Sequence, residues 1–376
     1  MIVGVPRERL EGERRVALVP SVIKKLVKLK IEVHVEAGAG LTSACSDTQY
    51  TEAGARIQAN AQSLYAAADL IARVQPPSTS EIDAMREGTA LIAVLQPYNN
   101  LEVIRRLAAR RISSFSLDFM PRITRAQNMD VLSSMSTIAG YKAVLIAANN
   151  MPKFFPMLMT AAGTVKAARV LILGAGVAGL QAIATARRLG SVVEAFDIRA
   201  AAREQVESLG ARFIGQPAAD AEGAGGYAKE QTAEQLAQQR ELVSKHMAQS
   251  DAVICTALVP GRRAPILMTA AQVKGMRPGS LVVDIAAEQG GNCELTRAGE
   301  TVDCGGVMVY GPVNLPSTMP ADASQMFAQN VGNYLTHLVK DGNLQFALDD
   351  EVTRAPLVTH LGDITHADVK ARANAQ

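Results

Sequence analysis

The stretch ARVLILGAGVAGLQAIATARRLGSVVEAFDIR, residues 168–199, identifies the fold of this protein. Its first apolar run predicts a β-strand that leads directly into Gly174, Gly176 and Gly179, with a helix to follow. A second β-rich run ends at Asp197. A G-x-G-x-x-G pattern alone is weak evidence, but here it has the complete strand–turn–helix–strand context of a dinucleotide-binding unit. We therefore predict a doubly wound parallel sheet in this region of the chain.

The three glycines and the helix after them are expected to hold a pyrophosphate. Gly174 makes the tight turn, Gly176 lets the phosphates approach the backbone, and Gly179 allows the helix to pack closely. Val177 and Ala178 open the helix. The first N–H groups of a helix have no partner within it, so they can bind phosphate oxygens.

Asp197 predicts which dinucleotide is bound. A carboxylate at this position binds both hydroxyls of the adenosine ribose and repels a 2′-phosphate, so we expect NAD(H) rather than NADP(H). Ile198 and Arg199 follow directly and are assigned to the same subsite. Arginine can accept a 2′-phosphate, but we expect the acid to dominate. The alternative is a structural turn with a solvated aspartate.

Two loops after later strands are predicted to meet the same ligand, because ligands bind at the carboxyl edge of a parallel sheet. They are CTALVPGRRAP, residues 255–265, and VVDIAAEQGGN, residues 282–292. Candidate contacts to the nicotinamide half are Asp284, Glu288, Gln289 and Asn314. For each of these four, a purely structural role is the alternative.

A polar insertion, AEGAGGYAKE at residues 221–230, is a candidate lid, with Tyr227 placed to lie over a bound cofactor. A loop without a role is the alternative. The complete set of predicted cofactor-binding residues is Gly174, Gly176, Val177, Ala178, Gly179, Asp197, Ile198, Arg199, Tyr227, Ala257, Leu258 and Asn292.

The rest of the chain predicts a second sheet. In the first third, short β-rich runs alternate with helical ones, which is typical of a doubly wound domain, here without a glycine fingerprint. The predicted strands are residues 2–5, 32–37, 70–74, 91–95 and 113–118. Long helices are predicted over 133–148 and from 321 to about 340.

We therefore predict an α/β protein with two doubly wound, Rossmann-like domains. The NAD-binding domain, residues 133–319 with its crossing helix, is inserted into a discontinuous first domain, residues 1–132 plus 320–376, and the long helices join the two. The last ten or so residues are expected to be a frayed tail.

Charge and composition limit the classes of partner and the cellular location that can be expected for this protein. The net charge of +2, from 38 basic and 36 acidic residues, gives no electrostatic case for nucleic acid or an anionic membrane. Charge appears at Arg7, so no secretory signal is expected, and no apolar window of about 20 residues predicts membrane insertion. The four cysteines and five histidines lack paired metal-ligand spacing. We expect no metal site, and reduced thiols in a cytoplasm.

The segment MPRITRAQNMD, residues 120–130, is a polar loop between an apolar run and a predicted helix. It contains two arginines, a glutamine, an asparagine and an aspartate around a proline. Most loops of this composition are solvated turns, so its own residues do not reveal a role.

Several segments together resemble one superfamily nearly end to end. They are VGVPRERLEGERRVALVP (3–20), VEAGAG (35–40), the glycine fingerprint with its aspartate, PGRRAP (260–265) and VVDIAAEQGGN (282–292). The superfamily contains alanine dehydrogenase and the NAD(H)-binding component, domain I of the alpha subunit, of proton-translocating NAD(P) transhydrogenase. The resemblance implies the same architecture of an inserted nucleotide domain.

Two positions separate this chain from the alanine dehydrogenases. Those enzymes have a lysine and a histidine that bind and polarise an oxo acid, in motifs similar to RVQPP and VLQPY of this sequence, where Gln75 and Gln96 stand. Carbonyl reduction needs a proton donor and a cation for the carboxylate, and glutamine supplies neither. Arg15 is retained, but one arginine does not make an amino-acid site.

The polar loop is similar to the one that transhydrogenases place beside the nicotinamide ring. The match covers Arg122, Gln127, Asp130, Ser133 and Tyr141, and the first four are assigned as catalytic residues. Hydride transfer between two nicotinamides needs no acid or base, only alignment of the rings at about 3 to 3.5 Å. The family pattern has a polar residue, usually glutamine, where this chain has methionine in SSMST.

The resemblance implies a Re/Si-specific, proton-translocating transhydrogenase subunit. NAD(H) would bind here, NADP(H) on a partner subunit, and membrane subunits would move protons. It also implies a homodimer that is cytoplasmic and peripheral on the inner face of the membrane, without membrane insertion of its own. The alternatives are an alanine dehydrogenase-like oxidoreductase of amino acids and a non-catalytic NAD(H)-sensing or scaffold protein.

Overall fold

A computed structural model describes residues 1–215, 233–258 and 261–375. They form two compact units, one made of Met1–Met135 and the chain from Pro316 onward, the other of Ser136–Leu315. The second unit is therefore an insertion in the sequence of the first. The sequence-based domain boundaries, 132/133 and 319/320, stay a prediction.

The strands are β1 Ile2–Val5, β2 Glu32–Glu36, β3 Arg56–Gln58, β4 Leu70–Ala72, β5 Ala90–Ala93, β6 Ser113–Ser116, β7 Leu158–Thr160, β8 Gly163–Val165, β9 Arg169–Leu173, β10 Val192–Phe196, β11 Arg212–Phe213, β12 Ala252–Cys255, β13 Leu281–Asp284, β14 Thr301–Asp303, β15 Met308–Tyr310, β16 Val339–Lys340, β17 Asn343–Leu344, β18 Leu357–His360 and β19 Asp363–Ile364. The α-helices are α1 Pro20–Lys28, α2 Asp47–Glu52, α3 Ala61–Ala67, α4 Thr79–Ala84, α5 Leu101–Ala109, α6 Val131–Asn150, α7 Val177–Arg188, α8 Ala200–Ser208, α9 Ala233–Met247, α10 Ala270–Lys274, α11 Pro320–Leu338, α12 Glu351–Arg354 and α13 Ala367–Ala375.

The first unit is built on an eight-stranded sheet in the order β19-β18-β6-β5-β4-β1-β2-β3. Strands β1 to β6 are parallel, and β18 and β19 are antiparallel additions at one edge. The chain adds β2 and β3 on one side of β1 and β4 to β6 on the other. The strand order therefore reverses between β1 and β4, and the carboxyl ends of these strands form the crevice in which such sheets bind ligands.

The second unit is built on a seven-stranded sheet in the order β11-β10-β9-β12-β13-β15-β14. All neighbours are parallel except β14 and β15. The central strands are apolar runs buried on both faces, which is why they read as continuous hydrophobic segments in the sequence. The order reverses between β9 and β12, next to the glycine loop. The predicted α/β fold with two doubly wound sheets is confirmed.

Helix α6 is apolar along most of its length. Among the described residues it is the one helix long and apolar enough to cross a bilayer, with a mean hydropathy of 1.4. One such helix is weak evidence, since the core helix of a folded domain passes the same test. In the second unit, its Ala143, Val144 and Ala147 are fully buried in a hydrophobic core with β9 and α7.

The C-terminal segment differs from its prediction as a frayed tail. The last residues were predicted to fray, but the structure has α13 there, with Val369 fully buried and Ala373 nearly so. The guanidinium of Arg105 in α5 donates a hydrogen bond to the carbonyl of Ala373. The guanidinium of Arg372 in α13 also lies over the ring of Tyr98, so the segment is docked on the first unit by buried side chains and by polar contacts.

Candidate functional site: a glycine loop and a polar loop

The glycine loop in the second unit has a separate physical reason for each glycine. Gly174 has φ +98°, and a Cβ there would lie 2.8 Å from Oγ1 of Thr256. A Cβ on Gly179 would lie 1.9 Å from the carbonyl oxygen of Gly174, so only glycine lets α7 pack this closely. A Cβ on Gly176 would meet no atom of the described residues within 4 Å. Packing within this part of the chain therefore does not require glycine at position 176.

Gly176 is the N-cap residue of α7, and no side chain in the described residues caps this helix. The open space at Gly176 thus lies at a helix N-terminus, where N–H groups and the helix dipole favour an anion. Val177 at the start of the helix is 41% exposed. These features fit the pyrophosphate of a dinucleotide, which needs both the open space and the N–H donors.

A glycine in α6 helps to place this helix N-terminus. A Cβ on Gly140 would lie 2.0 Å from the carbonyl oxygen of Ala178, so α6 and α7 are in backbone contact at this point. Sequence reasoning did not assign Gly140 a role. A glycine in the middle of an otherwise apolar helix was the available indication, because glycine there is unfavourable unless close packing requires it.

Asp197, at the end of β10, is 9% exposed and accepts hydrogen bonds from the protein on both oxygens. The donors are the backbone N–H of Ala175, at 2.7 Å, and both the backbone and the guanidinium of Arg199, at 2.8 to 2.9 Å. Burial raises the pKa of the Asp197 carboxyl, but the bonds and charge of Arg199 outweigh burial and leave the pKa below its ordinary value. The carboxylate is therefore ionised at neutral pH. Ile198 is partly buried against the core of this unit.

The loops after β12 and β13 are tied together by Asn292, which is fully buried. Its amide oxygen accepts from the N–H of Ala257 at 3.0 Å, and its amide nitrogen donates to the carbonyls of Ala257 and Pro265 at 2.9 and 2.8 Å. With these bonds the side chain positions the backbone beside the glycine loop. Leu258, the next residue, is partly exposed there.

Asp284 and Thr296 form hydrogen bonds inside the loop that follows β13. Asp284 is fully buried, and its carboxylate accepts from the N–H groups of Ala286, Asn292 and Cys293 and from the hydroxyl of Thr296. Burial is the largest influence and raises the pKa of this carboxyl. A buried residue with four protein donors orders the loop.

Of the remaining nicotinamide candidates in the same unit, Glu288 is exposed, and Gln289 and Asn314 are partly buried. The carboxylate of Glu288 accepts from the N–H of Asn314 at 3.1 Å, and Asn314 has a positive φ of 43°. The side-chain oxygen of Gln289 is buried and has no hydrogen-bond partner among the described residues. Tyr227 lies outside the described residues.

Thr256 is a residue of this site that sequence reasoning missed. Its hydroxyl donates to the carbonyl of Gly174 at 2.9 Å and is also 3.3 Å from the carbonyl of Leu173. It therefore braces the glycine turn from the neighbouring strand. Thr256 and Gly174 are 82 positions apart, so no local pattern could have paired them.

The polar loop in the first unit forms a short 3₁₀ helix, Thr124–Met129, followed by α6. Arg122 and Gln127 are exposed. Asp130 caps α6, since its carboxylate accepts from the N–H of Ser133 at 3.0 Å and from its hydroxyl at 2.6 Å. The structure thus brings Asp130 and Ser133 together, with Asp130 as the residue that caps α6.

Two sets of contacts anchor this loop to the rest of the first unit. Arg125 makes a bidentate ion pair with Asp350 at 2.6 and 2.8 Å. The carbonyl of Asn128 accepts from the side-chain amides of Asn330 and Asn333 in α11, at 2.9 and 2.8 Å. Arg122 and Gln127 therefore stand exposed on a backbone that their neighbours hold in place.

Two further positions of the match lie in α6. Met135, which stands where the family pattern is polar, is buried at 9% exposure, so an apolar side chain fits its surroundings. Tyr141 is partly exposed.

The positions that the sequence analysis contrasted with those of alanine dehydrogenases, Gln75 and Gln96, follow β4 and β5 of the first unit. Arg15 donates to both oxygens of Glu13, at 2.8 and 2.6 Å, and Gln75 donates to Glu13 at 2.7 Å. Burial opposes ionisation of Glu13, but the bonds and charge of Arg15 outweigh it and lower its pKa to about 2. Arg15 is thus neutralised within the protein.

Gln96, the second of these positions, is exposed, with a positive φ of 45°. Its backbone N–H donates to Asp118 at 2.9 Å. Burial raises the pKa of the Asp118 carboxyl.

The glycine loop at the strand-order reversal, the open helix N-terminus and the acid at the end of β10 define a dinucleotide-binding protein of the Rossmann type. The comparisons with known proteins agree. The N-terminal domain of the alanine dehydrogenase/PNT family matches residues 4–139, and its C-terminal domain matches residues 143–367. The chain belongs to this family.

Similar proteins come from both branches of the family. An NAD(P) transhydrogenase subunit alpha protein of Rhodospirillum rubrum is 47% identical over 376 residues, which cover 97% of this chain and 98% of the relative. Alanine dehydrogenase of Bacillus subtilis is 28% identical, over 98% and 94%. The crystal structure of transhydrogenase from Sinorhizobium meliloti superposes with a TM-score of 0.87 at 44% identity, over 98% and 100%.

Proposed function

We propose that this chain is the NAD(H)-binding component of a proton-translocating NAD(P) transhydrogenase, and that it passes hydride directly to NADP⁺ on a partner subunit. The network of Glu13, Arg15 and Gln75 is the observation that carries the choice within the family. An oxo acid needs a free cation for its carboxylate and an acid for its carbonyl. Arg15 is committed to Glu13, and a neutral amide stands at position 75.

The second unit would hold NAD(H) by the groups that its geometry offers. The N-terminus of α7 at Gly176 would bind the pyrophosphate and Asp197 the adenosine ribose. When bound, NADH supplies a hydride from its dihydronicotinamide ring. NADP(H) would bind to a partner, since the sequence contains a single G-x-G-x-x-G fingerprint.

Arg122, Gln127, Asp130 and Ser133 would orient the nicotinamide rather than exchange protons with it. Transfer between two nicotinamides moves no proton at carbon, so alignment is the main requirement. Gln127 and Arg122 offer exposed amide and guanidinium groups that can hold a carboxamide or a ribose. Asp130 and Ser133, bonded to each other, would fix the end of the loop at the start of α6.

We further propose a homodimer, located in the cytoplasm, that docks on the inner face of the membrane onto a proton-channel subunit and an NADP(H)-binding subunit. Support for the dimer comes from the segment before and within the β7–β8 hairpin. There Phe154, Met157 and Met159 are 58%, 59% and 81% exposed, which is unusual for large apolar side chains so close together. A sedimenting species with the mass of one chain would contradict the proposed dimer.

The test of the proposal is reconstitution with an NADP-binding transhydrogenase component. The chain alone should bind NADH and leave pyruvate unreduced in the presence of ammonia. Hydride transfer, followed with an NAD⁺ analogue of distinct absorbance, should begin only when the second component is added. Pyruvate-dependent oxidation of NADH would instead support the alanine dehydrogenase-like alternative. NADH binding without any transfer after mixing would support a sensing or scaffold protein.

A further inference from the structure

The carboxylate in the proposed ribose subsite already has a charged partner. We infer that Arg199 competes with the adenosine ribose for Asp197, and that it thereby lowers the affinity of the site for NAD(H) and weakens its discrimination against NADP(H). The inference rests on the proposed function, because it takes the glycine loop to be the NAD(H) site.

The acceptor positions of Asp197 are fully used by protein donors. Oδ1 accepts from the backbone N–H and the Nε–H of Arg199, both at 2.9 Å. Oδ2 accepts from the N–H of Ala175 at 2.7 Å and from Nη2 of Arg199 at 2.8 Å. Each carboxylate oxygen has two lone pairs, so these four bonds saturate both oxygens.

A ribose diol must therefore displace a donor on each oxygen. The N–H of Ala175 belongs to the glycine turn, and the N–H of Arg199 precedes α8, so the fold fixes both. The guanidinium ends a flexible side chain that is 19% exposed. It donates one bond to each oxygen, so its departure frees the two positions that two hydroxyls need. Asp197 would exchange two hydrogen bonds from the charged guanidinium for two from the ribose hydroxyls. Because the guanidinium bonds are charge-assisted, Arg199 competes effectively with the ribose.

The same pairing changes how the site treats a 2′-phosphate. An isolated carboxylate repels the phosphate, but Asp197 and Arg199 together carry no net charge. The displaced guanidinium remains two residues from Asp197 and can pair with a phosphate by a bidentate bond. Arg199 would thus weaken NADH binding and assist NADPH binding with one side chain.

The experiment compares Arg199→Ala with Arg203→Ala in the full chain. Arg203 lies one turn further along α8, where it donates to the carbonyl of Gly215 and stacks on Phe213, so it is a matched control. The dissociation constants of NADH and NADPH are measured by titration calorimetry. Arg199→Lys is a second variant, which keeps the charge but loses the bidentate geometry.

For Arg199→Ala the Kd of NADH should fall about threefold to tenfold, the scale of one net hydrogen bond. The Kd of NADPH should rise, and Arg199→Lys should lie between the wild type and Arg199→Ala for both ligands. Arg203→Ala should change neither constant. An unchanged or raised Kd of NADH in Arg199→Ala would overturn the inference and make Arg199 a direct ligand or a bystander. A wild-type chain that binds no NADH would refute the proposed function itself.

Discussion

The glycine loop and the polar loop carry out their proposed tasks by different physical means. In the glycine loop the backbone is the functional element: short distances require glycine at 174 and 179, and Gly176 leaves open space at the helix N-terminus. In the polar loop exposed side chains are the functional element, and contacts from α11 and Asp350 hold the backbone beneath them. The first arrangement is encoded locally, whereas the second depends on residues far away in the sequence.

This difference predicts how each loop fails on substitution. A change in the glycine loop should affect either the fold or ligand binding, depending on which glycine is replaced. A change in the polar loop should leave both nearly intact and slow the transfer step. Substitutions in the two loops therefore form a series in which the damage to the protein becomes progressively smaller.

Gly179→Ala should destabilise the second unit and abolish NADH binding. Its Cβ would lie 1.9 Å from the carbonyl oxygen of Gly174, which is backbone and cannot move aside cheaply. We expect a loss of about 3 kcal/mol in the free energy of unfolding, the upper range for overpacking. Thermal denaturation and NADH titration measure the two effects.

Gly176→Ala is the matched control, because a Cβ at Gly176 meets no atom within 4 Å in the part of the chain that the structure describes. It should lower the melting temperature much less than Gly179→Ala, by the small cost of alanine at a helix N-cap. It should still weaken NADH binding, since the methyl group enters the space proposed for the pyrophosphate. Equal losses of stability in the two variants would show that the glycines act only in packing. Full NADH affinity in Gly176→Ala would place the phosphates elsewhere.

Gln127→Asn should slow hydride transfer by about tenfold while NADH affinity stays nearly unchanged, because a shift of about 1 Å in alignment is enough for such a loss. The side chain is exposed, so the stability of the fold should not change. Stopped-flow transfer in the reconstituted complex gives the rate, and titration of the chain alone gives the affinity.

The control is Asn128→Gln, which lengthens an amide side chain at the neighbouring position, whereas Gln127→Asn shortens one. The loop is anchored through the backbone carbonyl of Asn128, which this substitution keeps. Transfer should therefore remain close to the wild-type rate. The alignment role of Gln127 would be contradicted if its variant lost affinity for NADH and kept the transfer rate.

The same contrast explains what could be predicted from the sequence. The strand, turn, helix and acid of the glycine loop follow each other within 168–199, so their order and the type of sheet were readable directly. The strands β1, β2, β4, β5 and β6 were also found. Of these, β1, β4 and β5 are continuous apolar runs, as buried parallel strands are expected to be. In contrast, β2 alternates polar and apolar residues and β6 is mostly serine. The short edge strand β3, with an exposed arginine and two half-buried residues, carried too weak a pattern.

The contacts that complete each site could not be predicted in this way. Thr256 reaches Gly174 across 82 positions, and Arg125 reaches Asp350 across 225. Nothing in the composition near either residue specifies its partner, because the fold alone brings them together. The docking of α13 was missed for the same reason, since its partner Arg105 is distant in sequence.

Arg125→Gln should produce the smallest effect, a slower transfer together with a slight loss of stability. The bidentate pair with Asp350 joins the polar loop to the N-cap residue of α12, so its loss should loosen the loop without removing any proposed ligand contact. The pair is exposed, and such pairs contribute little to stability. The control is Arg106→Gln, which breaks a similar exposed bidentate pair with Asp83, away from the loop.

The pH dependence of this effect has a definite sign. The hydrogen bond from Arg125 is the main cause that lowers the pKa of Asp350 to about 2, below its value of 3.8 in a free chain. A carboxyl with a lowered pKa stabilises the fold above its unfolded pKa and loses that contribution as the pH falls through the folded one. The difference in melting temperature between wild type and Arg125→Gln should therefore be constant near neutral pH and narrow below about pH 4.

At neutral pH only Arg125→Gln, and not Arg106→Gln, should slow hydride transfer. Equal transfer rates in the two variants would mean that Asp350 stabilises the unit without positioning the loop.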